Sequence, residues 1–302
     1  MCPQRQDSIR ERVNYDAPDL PLYIHRSILS DYAPSLSAVC HWHDDVEFMY
    51  MCRGHMDYNV DGTIYHMDEG DGIFVNSNRL HYGFSPDGSD SEFICILLTP
   101  TLLSATAYIE QNYIRPVTGS QRLRAVVLER ECADDAALLT LLQRIWSVYQ
   151  SGAPDYVLQL QSLFYRVWQE LFRRVPGEQT GAADQGDRLS LKMMLGFIHD
   201  HHGERITAAD IAAAGFVSQS KCFRLFRRYI NRTPVECLTE YRLKVGCQLL
   251  AETDLSVTEI AARTGFVSSS YFAERFRQHY GCTPLQFRRR SGGPSAWQLV
   301  ER

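Results

Sequence analysis

The sequence contains no apolar run near the ~20 residues that a bilayer-crossing helix needs, so none of its 302 residues reads as a membrane span. Its start, MCPQRQDSIRERVNYD, has no apolar core of the kind that directs secretion, and a cytoplasmic protein is expected. It also has no C-x-x-C pair. The nine cysteines (Cys2, Cys40, Cys52, Cys95, Cys132, Cys222, Cys237, Cys247 and Cys282) are odd in number and scattered. That spacing gives no disulfide framework and no support for a thiol sensor; in a reducing compartment they read as small apolar residues.

A net positive charge is missing as well, since 31 Lys+Arg stand against 36 Asp+Glu, for a net of −5. The balance is uneven along the chain. Arg188–Arg290 holds 16 basic and 9 acidic residues, net +7, whereas the other 199 residues hold 15 and 27, net −12. An acidic chain that gathers its cations into one segment has the electrostatic footprint of a polyanion binder there. At 302 residues with 45% apolar content, two domains with proper cores are expected.

The cationic segment says nearly the same thing twice. DIAAAGFVSQSKCFRLFRRYINRTP (Asp210–Pro234) is repeated as EIAARTGFVSSSYFAERFRQHYGCTP (Glu259–Pro284). At an offset of 50, Ser218/Ser268, Ser220/Ser270, Phe226/Phe276, Thr233/Thr283 and Pro234/Pro284 fall into register. Repetition at a fixed offset means one supersecondary unit built twice. Each copy reads as a short helix, a turn and a longer helix. In the second, Thr258–Arg263 is Ala-rich, Gly265 supplies the turn, Ser268 is a plausible N-cap, and Tyr271, Phe272, Phe276 and Tyr280 make an apolar stripe. Ile211, Gly215, Ser218, Cys222 and Phe226 repeat this in the first. The pattern is that of a helix-turn-helix, whose second helix can enter a DNA major groove.

On the text IAARTGFVSSSYFAERFRQHYGCTP, and on EYRLKVGCQLLAETDLSVTEIA before it, the chain resembles the AraC/XylS family of bacterial transcription regulators. The resemblance covers about the last hundred residues. It implies that Gln219, Ser220, Lys221, Phe223 and Arg224 are the exposed residues of the first reading helix. Those of the second would be Ser269, Ser270, Tyr271, Ala273 and Glu274. Arg224 can donate two hydrogen bonds to a guanine edge and Glu274 can accept from a cytosine amine. Lys221, Arg227, Arg228, Arg275 and Arg277 are expected to contact phosphates, which hold register without choosing sequence.

From Leu22 to Thr99 the pattern changes to short strand-like runs: 46–52, 55–60, 63–67, 72–75 and 93–99. Asp61-Gly62 is a two-residue hairpin signal, and Arg53-Gly54, Glu69-Gly70 and Pro86-Asp87-Gly88 punctuate the rest. A sandwich or small barrel is expected. Within it, His41, His43 and Glu47, with His81 later, are similar to the cupin signature H-x-H-x3-E…H found in the sensing domain of many such regulators. The resemblance places them in the mouth of the barrel. Leu36, where cupin enzymes carry Gly, departs from their pattern. Three imidazoles and a carboxylate suit Zn, Fe, Mn or Ni. They also suit a polar pocket for an organic effector, with Tyr58, Tyr65, Arg79 and Tyr82 as neighbours whose donors match a sugar or a carboxylate. The residues demand no cofactor; a divalent metal in the barrel is the one their chemistry allows.

Leu123–Cys132, Ala136–Gln150 and Tyr156–Val175 show helical spacing, and the apolar stripe Leu160, Leu163, Phe164, Val167, Trp168, Leu171 and Phe172 suggests burial against a second copy. The expected fold is therefore multidomain. An N-terminal arm (1–21) precedes an all-β cupin-like barrel (22–104) and a helical dimerisation segment (105–175). A Gly-rich linker (176–187) leads to an all-α DNA-binding domain (188–290) with helix-turn-helix units at 206–230 and 257–280, and a tail (291–302). The expected partners are promoter DNA, a small-molecule effector (a sugar among the candidates), RNA polymerase and a second copy of the chain. The expected function is an effector-controlled transcriptional regulator, an activator by family resemblance and not an enzyme. The alternatives are a metal-dependent cupin enzyme, or a metal sensor, fused to a DNA-binding domain.

Overall fold

The computed structural model describes residues 10–11, 13–16, 20–175 and 182–290, and the chain divides into two compact units at about residue 182. The first unit contains β1 (Leu22–Ile28), α1 (Leu29–Tyr32), β2 (Val46–Arg53), β3 (Met56–Val60), β4 (Thr63–Met67), β5 (Gly72–Val75), β6 (His81–Phe84) and β7 (Glu92–Leu98). Short helical turns follow, among them α2 (Ala107–Ile109) and α3 (Arg115–Thr118), then β8 (Ala125–Leu128), α4 (Ala136–Ser151) and α5 (Tyr156–Arg173). The strands form a five-stranded sheet in the order β1-β7-β2-β5-β8 and a three-stranded sheet in the order β4-β3-β6. Between the sheets stands an isolated bridge, His41 to His81; no ladder among the described residues closes them into a barrel. The β3–β4 hairpin turns at Asp61-Gly62, with φ of 49° and 90°, as the dipeptide predicts.

Alternation along β2 divides the core in two. Val46 and Phe48 join Phe74, Ile96 and Leu98 on one face, which α4 and α5 cover with Leu142, Ile145, Phe164 and Trp168. Met49 and Met51 point the other way, with Ile73 and Val75, and meet Met56, Tyr58 and Val60 of the small sheet. Both faces of the large sheet are buried, so its strands read as continuous apolar runs. Exposing the four helix side chains just named would cost on the order of 6–12 kcal/mol, comparable to a domain's whole net stability. The helices are therefore part of the sheet's own core.

Two expectations fail here. Leu123–Cys132 is not a helix: Val126 and Val127 are β-branched, and pairing of Ala125–Leu128 with β5 decides a locally ambiguous segment in favour of a strand. The α5 stripe expected to face a second copy is buried in its own chain, with Leu160, Leu163, Phe164, Val167, Trp168 and Leu171 all in the core. That stripe is therefore not a surface for a second copy.

The second unit contains α6 (Ala182–His201), α7 (Ala208–Ala214), α8 (Gln219–Ile230), α9 (Pro234–Glu252), α10 (Val257–Arg263), α11 (Ser269–Tyr280) and α12 (Pro284–Arg290). Helix α6 takes in residues 182–187, read from sequence as linker; the Ala pair and Gln185 are good helix formers and override Gly186. The remainder of the expected linker, 176–181, lies outside the described residues, as do Met1–Ile9, Arg12 and Ala17–Asp19 of the expected arm and the tail from Ser291. Thr207, Ser218, Thr233, Ser256 and Ser268 each cap the helix that follows. Asp210, Glu236 and Glu259 complete reciprocal capping boxes at three of these starts.

The two repeats differ by one residue in the turn. The N-caps of the leading helices, Thr207 and Ser256, are 49 apart, while those of the following helices, Ser218 and Ser268, are 50 apart. The left-handed turn position is Gly265 in the second unit (φ 75°) but Phe216 in the first (φ 53°). Gly215, expected to make that turn, has φ −88° and serves close packing, since a Cβ there would lie 2.5 Å from Met194 Cγ. A Cβ on Gly265 would come within 2.4 Å of the His202 carbonyl oxygen. Gly265→Ala is therefore expected to destabilise the protein by more than ~1 kcal/mol, whereas Phe216→Gly, at a side chain 86% exposed, leaves stability unchanged or raised. Thermal unfolding of the two variants checks this; equal losses would contradict it.

Candidate functional site

Helices α8 and α11 each bury one face and present the other. On α8, Cys222, Leu225, Phe226, Tyr229 and Ile230 are buried, while Gln219, Ser220, Phe223, Arg224, Arg227 and Arg228 are exposed. On α11, Phe272 and Phe276 are buried, and Ser270, Tyr271, Glu274 and Arg277 are exposed, with Ser269, Ala273 and Arg275 half-buried. The expected residues of both helices thus lie on or beside an outward face, with Lys221, Ser269, Ala273 and Arg275 half-buried at its edges.

The electrostatics separate them. Lys221 Nζ lies 2.8 Å from Asp187 Oδ1, so a carboxylate of α6 tethers one of the expected phosphate contacts, while Arg228 Nη1, at 3.9 Å from Asp187 Oδ2, meets it only loosely. Arg227 is 4.0 Å from Glu236, a loose exposed pair of little energy. Arg224 enters no ion pair among the described residues. On α11, Gln278 Nε2 donates to Glu274 (3.3 Å) and Gln278 Oε1 accepts from Arg275 Nη1 (3.0 Å), which fixes the carboxylate without a direct cation. Asp187 and Gln278 were not singled out by sequence reasoning; Asp187 had been assigned to the linker.

In the first unit, His41, His43, Glu47 and His81 converge, with one ligand atom from each within 4.8 Å of all the others. His43, Glu47 and His81 are buried, and 16% of the His41 side chain is exposed. Each imidazole is oriented by a backbone carbonyl: His41 Nδ1 donates to Val39 (2.9 Å), His43 Nδ1 to Asp45 (3.0 Å) and His81 Nδ1 to Arg79 (2.8 Å). A carbonyl can only accept, so each Nδ1 carries a proton and each ring turns its Nε2 inward. Those atoms meet oxygen. His43 Nε2 donates to Glu47 Oε2 at 3.3 Å, and His81 Nε2 is 3.1 Å from the same oxygen without the geometry of a hydrogen bond. Burial, only partly opposed by Glu11, depresses the His41 pKa to about 4. Burial opposes the charge on Glu47, but His81 and His43 more than reverse that and hold its carboxyl well below the usual range.

Tyr58 joins the cluster, donating its hydroxyl to Glu47 Oε1 at 2.5 Å. Its ring lies over Gly83, where a Cβ would sit 2.9 Å from Tyr58 Cε2, so the bare backbone at Gly83 makes the contact possible. Tyr65 pairs opposite Tyr58 across β3–β4 and shares its inward face. Two expected neighbours do not join. Arg79 is buried and spends its guanidinium on Asp61 (3.3 Å) and the Ser120 carbonyl (2.5 Å), contributing to the cluster only through its own carbonyl. Tyr82 pairs with Asn59, one step out of phase with Tyr58, and faces the other side of the small sheet.

The sequence marks an arm but none of its contacts. Glu11 N donates to the Trp42 carbonyl (2.8 Å), its Oε2 is 3.1 Å from His41 Nε2, Arg10 pairs with Asp44, and Tyr15 donates to Asp45 (2.9 Å). No periodicity in residues 10–16 signals these bonds.

Comparison with known proteins gives matches to both units. The AraC-like ligand binding domain matches residues 29–167, and a helix-turn-helix domain matches residues 211–290. The uncharacterized HTH-type transcriptional regulator YdeC of Bacillus subtilis is 30% identical over 290 residues, covering 93% of this chain and 96% of its own. The melibiose operon regulatory protein of Escherichia coli is 22% identical, with 86% of each chain covered. The lactose operon transcription activator of Staphylococcus xylosus is 22% identical, covering 78% of this chain and 81% of its own.

Tyr58→Phe leaves a buried Glu47 oxygen without its donor and is expected to destabilise the first unit by about 1–3 kcal/mol. Denaturant unfolding monitored on the full chain measures it, and an unchanged midpoint would show that the bond contributes nothing.

Proposed function

Because the chain belongs to the AraC family of transcriptional regulators, with an N-terminal ligand-binding domain and a C-terminal helix-turn-helix domain, we propose that α8 and α11 read two successive major grooves of one operator. On this reading Arg224 takes a guanine edge and Glu274 a cytosine amine. Arg227, Arg275 and Arg277 hold phosphates, and Gln219, Ser220, Ser269, Ser270 and Tyr271 fill the rest of the two grooves. Arg228 holds phosphate as well, and Lys221 reaches it only as Asp187 releases its ammonium group. The observation that carries this is the pair of N-capped helices with outward polar stripes inside a segment of net charge +7.

A small molecule bound in the first unit controls the affinity for DNA. Relatives named for melibiose and lactose operons support a sugar as that effector, with His41, His43, Tyr58 and Tyr65 the polar side chains it would meet. The chain acts as a homodimer in the cytoplasm and activates transcription through RNA polymerase, as regulators of this kind do. These relatives are regulators, which favours that role over a metal-dependent enzyme.

One observation favours a second reading of the same cluster, in which a divalent metal takes part in sensing. Two Nε2 atoms, of His43 and His81, meet one oxygen of Glu47 and the Nε2 of His41 converges beside them, a nitrogen-and-carboxylate set that a divalent cation can hold in place of protons. The 4.8 Å limit on the ligand atoms is close to the ~4.4 Å that bonds of ~2.0–2.2 Å allow across a metal. His41, His43, Glu47 and His81 would hold the ion, which would supply a Lewis-acidic site for an oxygen of the effector.

Arg224→Ala is expected to weaken specific operator binding by ~1–3 kcal/mol and to relax choice at one base pair. Arg227→Ala should weaken all sequences alike and lower the salt slope by ~1. Titration of each variant against operator and random duplex decides; unchanged operator affinity in folded Arg224→Ala removes it from the reading set. For the metal, purified chain should bind close to one Zn(II) or Ni(II) after chelator treatment, and operator affinity should change on loading. Absence of binding rejects the metal reading and leaves the organic effector.

A further inference from the structure

Glu11 repeats, for His41, what Glu47 does for His43 and His81. The His41 ring has its Nδ1 proton committed to the Val39 carbonyl at 2.9 Å, so Nε2 is the ring atom left to face the cluster, and the atom it meets is Glu11 Oε2 at 3.1 Å. An imidazole nitrogen and a carboxylate oxygen at that distance share a proton or a metal cation, and a metal that takes the nitrogen displaces that proton. The carboxylate is not there by chance of a loose side chain. The Glu11 amide is bonded to the Trp42 carbonyl at 2.8 Å, one residue from His41, and Arg10 is bridged to Trp42 with its guanidinium 5.5 Å from the indole centre. Farther along, Tyr15 bonds Asp45 and Asp16 accepts from the Ile24 amide, so the segment is pinned on both sides of Glu11.

Charge points the same way. Three neutral imidazoles and Glu47 around a divalent ion leave a net charge of +1 in a site whose Glu47, His43 and His81 are almost wholly buried. A second carboxylate brings that sum to zero, and an uncompensated charge in such a place is costly. Glu11, with 29% of its side chain exposed, reaches the cluster on its one exposed side, at His41.

We propose that Glu11 is a further ligand of the metal centre, closing it from the side of His41, and that metal loading thereby fastens the segment around Glu11 to the sensing unit. This rests on the metal reading of the cluster. The ion then has three nitrogen and two carboxylate donors, and the state of the N-terminal segment reports its presence. The effector, approaching from the exposed side, meets Glu11 and either shares the ion with it or displaces it.

The test uses the full chain, stripped with chelator and titrated with Zn(II) for affinity and Co(II) for its visible spectrum, as wild type and as Glu11→Gln. Hydrogen exchange of the peptide containing Glu11 is followed with and without Zn(II). The expected result is at least a ~10-fold loss of Zn(II) affinity in Glu11→Gln. The Co(II) spectrum should shift from weak five-coordinate towards stronger four-coordinate absorption, and Zn(II) should slow exchange around Glu11 in the wild type only. Equal affinity, identical Co(II) spectra and equal protection in both proteins would overturn the role of Glu11 while leaving the metal site intact. Failure of the wild type itself to bind Zn(II) or Co(II) would overturn both, and the two failures are told apart by the wild-type titration alone.

Discussion

Two reading helices in one chain can address one duplex only if the distance between them is held, and α9 is the element that holds it. Its buried side, Leu243, Cys247 and Leu250, enters the core of the second helix-turn-helix unit, and Gly246 is bare because the Phe272 ring lies 2.8 Å from where a Cβ would be. Arg242 fastens the rod to the rest of the unit. Its Nε and Nη2 donate to the His202 and Glu204 carbonyls, each at 2.7 Å, and its guanidinium lies 6.0 Å from the Phe266 ring centre in the second turn. Arg288 of α12 closes the far end by donating to the Leu250 and Leu255 carbonyls. On the proposed reading, a spacing fixed this firmly leaves bending of the duplex or incomplete insertion of one helix as the ways to meet both grooves.

The repeat was legible because it is local. N-caps, Ala-rich first helices and aromatic stripes at helical spacing are all read within a few residues, and the helices fall where those signals put them. The copies, Asp210–Pro234 and Glu259–Pro284, differ by one residue in the sequence itself, but Gly-Phe-Val occurs in both and only the backbone shows Phe216 taking the role of Gly265. In the first unit the hairpin at Asp61-Gly62 and the two long helices could be read, while β8 could not. Its four residues become a strand through pairing with β5, more than fifty positions earlier. The same holds at the cluster. His41, His43, Glu47 and His81 carry a spacing that names them, whereas the Glu11 contact depends on a segment with no pattern and the loss of Arg79 to Asp61 depends on tertiary placement.

The uneven charge along the chain has a finer structure at the interface itself. The second unit gathers the cations, yet Asp187 holds Lys221 and approaches Arg228, leaving Arg224 and Arg227 as the more available cations of α8. Any effector in the first unit can act on this only through a difference in its affinity for two states of the protein. A cluster that ties the N-terminal segment to the pocket by named bonds is a place where such a difference can arise.

The central claim is that one chain carries two groove-reading helices at a fixed separation. Hydroxyl-radical footprinting on an operator selected from random duplex measures this most directly. The account predicts two protected stretches per chain on one side of the duplex, with centres about 10 bp apart, that persist together as protein concentration falls. A single protected stretch, or two whose spacing varies from one operator to another, would contradict it.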